Sequence, residues 1–336
     1  MATINEVATR AAVSKSTVSR AFTHPGSVNA ATRARVLEAA SMIGYQPRNG
    51  AGVTSRRRTG NVGVIVPDVG NPYFQPLLKA VQHEAVTQQC PLFMGAGEND
   101  PQAEAEIARS MARHVDGLLL VSSRMEESDI VALAGEIPVV VVNREIDGIP
   151  SVVLASGEGM AQAVEHLVAL GHQRIAYLAG PPRFLASVER LTALRAVVAQ
   201  LKVEVIELGP FQPSFESGQR ATDLVMSTSC TAVIAFNDLT ALGLMARAAE
   251  LDIAVGRDLS VIGFDGLWLA ATSSPPLTTV AAPVAEAGTF AARELFKALS
   301  GRPAGSHRRL AADLIVRSST GPAVPRQSRR SPPDPR

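Results

Sequence analysis

Within the run KSTVSR, Lys15, Ser16 and Arg20 set an ammonium, a hydroxyl and a guanidinium about one helical turn apart. All three donate hydrogen bonds, and the planar fork of Arg matches paired acceptors such as guanine O6 and N7. Around them stand Thr3, Ser14, Asn29 and Thr32, each at or near the start of an expected helix. Hydroxyls, amides and unpaired backbone N–H groups at such positions favour phosphate. The charge distribution agrees. Nine Lys/Arg and two acids fall between Met1 and Arg58, an excess of seven positive charges; the whole chain is only +1, so the remainder carries −6. A basic head on an acidic body is the footprint of a polyanion-binding module joined to something else. On these features alone, a solvated basic face or a small protein-docking bundle competes with that reading.

A second set of candidates follows apolar runs further along. Asn71, Tyr73 and Phe74 come after VGVIVP, Asn143 and Arg144 after PVVVV, Asn237 and Asp238 after AVIAF, and Asp265 after SVIGF. Aromatic faces with amides and carboxylates suit a sugar, a nucleoside or a similar polar molecule. Each residue taken singly is also an ordinary turn or helix-cap residue. Catalysis finds little support. His24, His83, His114, His166, His172 and His307 show neither metal-ligand spacing nor a nucleophile partner, and His172, in the Gly171-His172-Gln173 turn, reads as structural. Gly95-Ala96-Gly97 continues as Glu98-Asn99-Asp100, without the third Gly of a dinucleotide fingerprint or the Lys of a P-loop. No cofactor, metal or enzymatic activity is expected.

The elements that must position these residues can be read from periodicity. Thr3 and Glu6 have capping-box spacing ahead of Ile4, Val7, Ala8 and Ala11. Ser14 caps an expected helix over 15–22 that His24-Pro25-Gly26 stops. Asn29 caps a third, with Val36, Ala40 and Ile43 inward and Gly44 at its end. Residues 45–60, YQPRNGAGVTSRRRTG, read as a linker. Beyond them, strand-like runs at 62–67, 90–97, 117–122, 138–143, 151–155, 174–180, 204–209, 232–237 and 259–265 alternate with amphipathic stretches. Most are Val/Ile/Leu runs without strict alternation, as in strands buried on both faces of a parallel sheet. There are too many for one half, so two doubly wound α/β subdomains are expected. Cys90 and Cys230 form neither a CxxC nor a disulfide framework and fit a reducing compartment. No run approaches 18 apolar residues and the N-terminus lacks a signal-peptide pattern, so a cytoplasmic protein without membrane contact is expected, which argues against an exported solute-binding protein.

TINEVATRAAVSKSTVSRAF followed by TRARVLEAASMIGYQP resembles the head of the LacI/GalR family, departing mainly at Ala12, where Gly is usual. VGVIVPDVGNPYF, VEHLVALGHQRIAYLAGP, FNDLTALGLM, LSVIGFDG, SPPLTTV and LIVRSSTGP are similar to family landmarks, in the family's order, to about Pro322. The resemblance implies a helix-turn-helix head (1–46) with Lys15, Ser16 and Arg20 reading bases, a hinge (47–60), and a periplasmic-binding-protein-like core (61–320) that dimerises and binds an effector. Within the core it implies an N-subdomain (61–154 plus 283–312) and a C-subdomain (155–282 plus 313–320) joined by three crossovers. Residues 321–336, rich in Pro, Ser and Arg, are expected to form a disordered tail.

Several positions depart from the family pattern. In the hinge, Arg48 replaces the usual Asn and Thr54 the Leu that wedges into the minor groove, while Ala51 keeps its place. Either Val53 or Ala51 takes over the wedge, or the segment stays loosely ordered and Arg56–Arg58 hold the DNA backbone electrostatically. The second is the preferred reading, since Gly50 and Gly52 each cost a helix interior about 1 kcal/mol. In the pocket, Val188 stands where the family often has an effector-binding Arg, Leu154 for an aromatic, Ala155 or Ser156 for an acid and Ala282 for Gln, whereas Arg190 matches an Arg of structural role. The expected function is a dimeric regulator, a repressor in the leading reading, bound to pseudo-palindromic double-stranded DNA and controlled by a small effector less hydroxylated than the usual sugars. The alternative is a ligand-independent or activating regulator with a degenerate pocket.

Overall fold

The structure, a computed structural model, describes residues 3–23, 27–43, 45, 58–303 and 305–324. The chain divides into two compact units, Met1–Arg58 and Thr59–Arg336.

Among its described residues the first unit holds three helices, α1 (Ile4–Arg10), α2 (Lys15–Thr23) and α3 (Ala30–Met42). Thr3 and Glu6 form a reciprocal capping box at the start of α1. The Ser14 hydroxyl accepts from the Thr17 amide (3.1 Å), and the Asn29 amide oxygen accepts from Ala31 and Thr32 (2.9 and 3.2 Å). These side chains satisfy backbone donors that a short helix otherwise leaves unpaired. The core is built from small residues: Val7, Ala8, Ala11, Val18, Ala21, Val36, Ala39 and Ala40 are buried, with Phe22 and Tyr45 packed against them. Alanines at these contacts let the three helices approach closely. Between α1 and α2 the chain turns through Ala12, whose φ is +51°.

The second unit contains two six-stranded sheets. The first is formed by β1 (Val62–Val66), β2 (Leu92–Ala96), β3 (Gly117–Val121), β4 (Val139–Val142), β5 (Ser151–Ala155) and β11 (His307–Ala311), in the order β11-β5-β4-β3-β1-β2. Helices α4 (Gln75–Thr87), α5 (Pro101–Ala112), α6 (Glu127–Ala134) and α12 (Val284–Leu299) accompany it. The second sheet has β6 (Arg174–Leu178), β7 (Glu204–Leu208), β8 (Ala232–Ala235), β9 (Ser260–Phe264), β10 (Thr278–Ala281) and β12 (Asp313–Ile315), in the order β12-β10-β9-β8-β6-β7. With it go α7 (Gly157–Ala169), α8 (Leu185–Leu201), α9 (Phe215–Ser227), α10 (Asp238–Glu250) and α11 (Trp268–Thr272). Among the described residues, the named strands pair in parallel except β10 with β12. Both sheets are therefore doubly wound, and each has apolar clusters on its two faces; strands such as β1 and β3 are buried along their whole length.

The chain passes between the sheets three times, after β5, after β10 and between β11 and β12. The passages run side by side: Ala311 pairs with Ala155, Asp313 pairs with Ala281, and the Ala312 amide donates to the Ala155 carbonyl (3.1 Å). The two ends of the core are also fixed. Asp116 accepts from the Thr59 and Gly60 amides (2.7 and 2.8 Å), so these last residues of the expected linker are bound to the first sheet. The expected tail needs a correction at its start. The Gly321 amide donates to Ser260 (3.1 Å) and Ala323 to the Leu170 carbonyl (2.8 Å), while 325–336 lie outside the described residues. His172 is buried and bonded to Thr231, Ser260 and the Gly321 carbonyl, a structural role.

Candidate functional site

In the head, Lys15 and Ser16 open α2 and Arg20 lies one turn on; all three are exposed. The Arg20 Nε donates to the Ser16 carbonyl (3.3 Å), which holds the base of the guanidinium along the helix and leaves its tip outward. Ser14 and Ser16 hydroxyls meet at 2.8 Å. Thr3, Ser14 and Asn29 direct their oxygens to their own helix starts, and Thr32 gives its amide to Asn29. Arg48, Ala51 and Thr54, the hinge residues, lie outside the described residues.

The core carries a cavity of about 110 Å³ where the strand ends of both sheets converge. From the first sheet come Asn71, Tyr73 and Phe74 after β1, Ser122–Arg124 after β3 and Asn143 after β4; from the second, Phe184 and Arg190, Phe236 and Asn237, and Asp265. This is the position at which open α/β sheets take ligands. Asn99, Ser122, Asn143 and Asp265 reach the cavity with φ of +58°, +48°, +60° and +113°. Non-glycine residues held in such conformations concentrate at binding sites, where the fold maintains them.

Asn143 links the first half of the lining. Its Nδ2 donates to Ser122 Oγ (2.9 Å) and its Oδ1 accepts from the Leu154 amide (3.2 Å). Burial, then the Asp265 charge, pushes the Tyr73 phenol well above its usual value. In the second half, Arg190 is buried against Asp265 (3.1 Å) and donates to the Phe236 carbonyl. Its guanidinium lies 4.0 Å from the Phe264 ring centroid. Burial raises the Asp265 carboxyl to about 6, with Arg190 opposing that rise. Ser156 Oγ, Arg124 Nε and Arg190 Nε are buried without hydrogen-bond partners. Buried polar atoms of this kind are costly unless something completes them.

Two expected effector residues are placed elsewhere. Asp238 is fully buried and its carboxylate is taken up by the Leu267 amide (2.7 Å) and the Thr279 hydroxyl (2.5 Å), tying α10 to the loop after β9 and to β10. Arg144 donates to the Met125 carbonyl (2.6 Å), away from the cavity. Each follows a cavity residue directly, but its polar atoms are committed to these bonds and it does not line the cavity. Arg190 was expected to be structural, yet it lines the cavity, whereas Val188 is exposed and does not. Arg124, Phe184 and Glu189 also line it and were not anticipated. Ser122–Arg124 follow a strand and obey the same positional rule that found Asn71.

A helix-turn-helix unit joined to a two-sheet body with a polar cavity defines a ligand-sensing transcription regulator. Residues 3–48 match the bacterial regulatory proteins of the lacI family, and 164–320 match the periplasmic binding protein-like domain. The chain is 33% identical over 330 residues to the HTH-type transcriptional repressor CytR of Escherichia coli (strain K12), covering 95% of this chain and 96% of that protein. It superposes on a lac repressor dimer bound to operator and the anti-inducer ONPF (TM-score 0.70, 26% identity, 95% and 99% covered). It also superposes on a ribose-bound LacI family transcriptional regulator from Enterococcus faecium (TM-score 0.71, 27% identity, 78% and 99% covered). The chain belongs to the lacI family and is a DNA-binding transcriptional regulator. No helix among the described residues is long and apolar enough to cross a membrane.

Proposed function

We propose that this regulator is a cytoplasmic homodimeric repressor whose hold on a pseudo-palindromic operator is set by a small polar effector bound between the two core sheets. The observation that carries the reading is the cavity lined from both sheets, with Asn143 and Tyr73 on one side, Arg190 and Asp265 on the other, and unpaired polar atoms between. An effector that bridges the halves favours one relative setting of them over others, and a head attached to each core then meets its half-site well or poorly. Two-fold symmetry of the protein calls for two-fold symmetry in the DNA. Lys15, Ser16 and Arg20 read bases; Thr3, Ser14, Asn29 and Thr32 approach phosphate at helix starts; Arg48, Ala51 and Thr54 belong to the hinge. In the core, Asn71, Tyr73, Phe74, Asn143, Asn237 and Asp265 meet the effector together with Arg190.

Selection of bound duplexes from a random pool by the full chain tests this, followed by a metabolite screen for compounds that alter binding to the selected site. The selected sequences are expected to contain two inverted half-sites. A monomeric chain with no preference for any symmetric duplex would overturn the proposal. Arg20→Ala should weaken binding to the selected site by about 1–3 kcal/mol. An equal loss on unselected DNA would make Arg20 a phosphate contact instead.

A further inference from the structure

Among the described residues, Arg124 in the cavity makes no direct ion pair. Arg124 stands three residues beyond β3 and lays its guanidinium over the ring of Phe184, 3.6 Å from the centroid, so that an arginine from the first sheet covers an aromatic from the second. No carboxylate lies within ion-pair distance of it among the described residues, and its buried Nε has no partner. Glu104 is the acid beneath, but its Oε2 accepts from the Arg124 backbone amide (2.7 Å), not from the guanidinium. Burial lowers the Arg124 pKa to about 10, with Glu104 opposing and Arg183 reinforcing the shift, so the group is charged at neutral pH.

Its neighbours in sequence are also donors. Ser122 Oγ accepts from Asn143 Nδ2 (2.9 Å) and Ser123 Oγ accepts from the Met125 amide (3.2 Å). A hydroxyl that already accepts keeps its own hydrogen to give. Both serines line the cavity with Arg124. The acids of the lining are otherwise engaged: Asp68 accepts from Gly70 (2.7 Å), Glu189 from the Ser156 amide (3.0 Å), and Asp265 pairs with Arg190 (3.1 Å). A desolvated guanidinium with two hydroxyl donors beside it is matched by an oxyanion, which accepts bidentate bonds from Arg and repays the burial of its charge.

We propose that the effector carries an anionic oxygen group, a phosphate or a carboxylate, that is received by Arg124, Ser122 and Ser123. This rests on the reading of the cavity as an effector site and narrows the class of molecule it takes. The anion takes the in-plane N–H groups of Arg124 while the face of the guanidinium stays on Phe184, so the bound group sits at a contact between the two halves of the core.

The test uses the full chain, Arg124→Gln and Arg124→Lys, with melting and calorimetric titration at constant ionic strength. The probes are phosphate and acetate against chloride, then D-ribose with D-ribose 5-phosphate and D-galactose with D-galacturonate. In the unaltered chain an oxyanion, free or carried on a sugar, should raise the melting temperature above the chloride value. The anionic member of a pair should bind roughly tenfold or more tightly than its neutral partner. Arg124→Gln should abolish that preference and Arg124→Lys should keep part of it. The phosphate and acetate arms tell the two chemistries apart. An oxyanion shift that is absent from the unaltered chain, or that survives in Arg124→Gln, overturns the proposal. Neutral sugars that bind all three proteins equally and still change operator affinity would do so while leaving the effector reading intact. Oxyanion binding that requires Arg124 but never alters operator affinity would instead uphold the site and remove the effector reading.

Discussion

Ala12 is the residue at which this head departs most visibly from its family's pattern, and the structure gives the departure a cost. At φ +51° an L-residue with a Cβ is strained, whereas glycine is at ease there. Ala12→Gly should stabilise the head by about 1 kcal/mol, which slower amide exchange at Val7 and Val36 in the full chain would report. Asp238 offers a second single-residue effect. Burial first, then the Asp265 charge, raises its carboxyl from 3.8 to about 8. The folded state therefore holds this proton more tightly than the unfolded state does. The corresponding stability is fully present below pH about 4 and is lost progressively as pH rises, the loss levelling off once pH has passed about 8. Between pH 7 and 9 the core should lose about 1 kcal/mol from this group, and the melting temperature should fall with it. Asp238→Asn should flatten that slope, because the Thr279 hydroxyl can turn to accept from the new amide. An unchanged slope in the variant would assign the effect to another group.

At the scale of elements, α9 and α10 pack through glycine. A Cβ on Gly218 would run into the Thr240 carbonyl, and one on Gly243 into the Phe215 carbonyl, in each case backbone that cannot swing aside. Gly243→Ala should destabilise the core by about 2 kcal/mol or more, read as a lowered melting temperature with the head's DNA contacts untouched. Strands were legible in the sequence where their residues are apolar on both faces, as in β1, β3 and β4. Of the strands at the crossovers, β5 was expected, whereas β10, β11 and β12 were not. β10 buries Thr278 and Thr279 because the Thr278 hydroxyl accepts from the Arg317 amide and the Thr279 hydroxyl donates to Asp238, a solution that hydropathy does not reveal. β11, HRRLA, is an edge strand with only Leu310 buried, and β12 has three residues. The cavity was legible by a positional rule, polar residues just past strand ends. The rule fails one residue further on, at Arg144 and Asp238, and it does not reach Arg190, which enters from inside α8.

For the whole molecule, the proposed function makes affinity for DNA depend on how the hinge meets the minor groove. Thr54 is too short and too polar to offset base unstacking as an apolar wedge does. Thr54→Leu should tighten operator binding, and a mobility-shift titration with equal affinities and equal bend for both proteins would reject the account. If basic side chains carry the hold instead, affinity should fall by roughly a thousandfold between 50 and 200 mM salt.

The passages after β5, after β10 and between β11 and β12 have a mechanical consequence. A single tether would let the halves of the core swing and slide freely, and two set far apart would lock them. Three strands of backbone bonded edge to edge should resist sliding more than torsion, so the halves are expected to move chiefly as a door does on a long hinge. Any molecule that wedges or clamps the opening acts along that motion whatever its chemistry. On the proposed function, the pocket's side chains can therefore change while the movement passed on by the core stays the same.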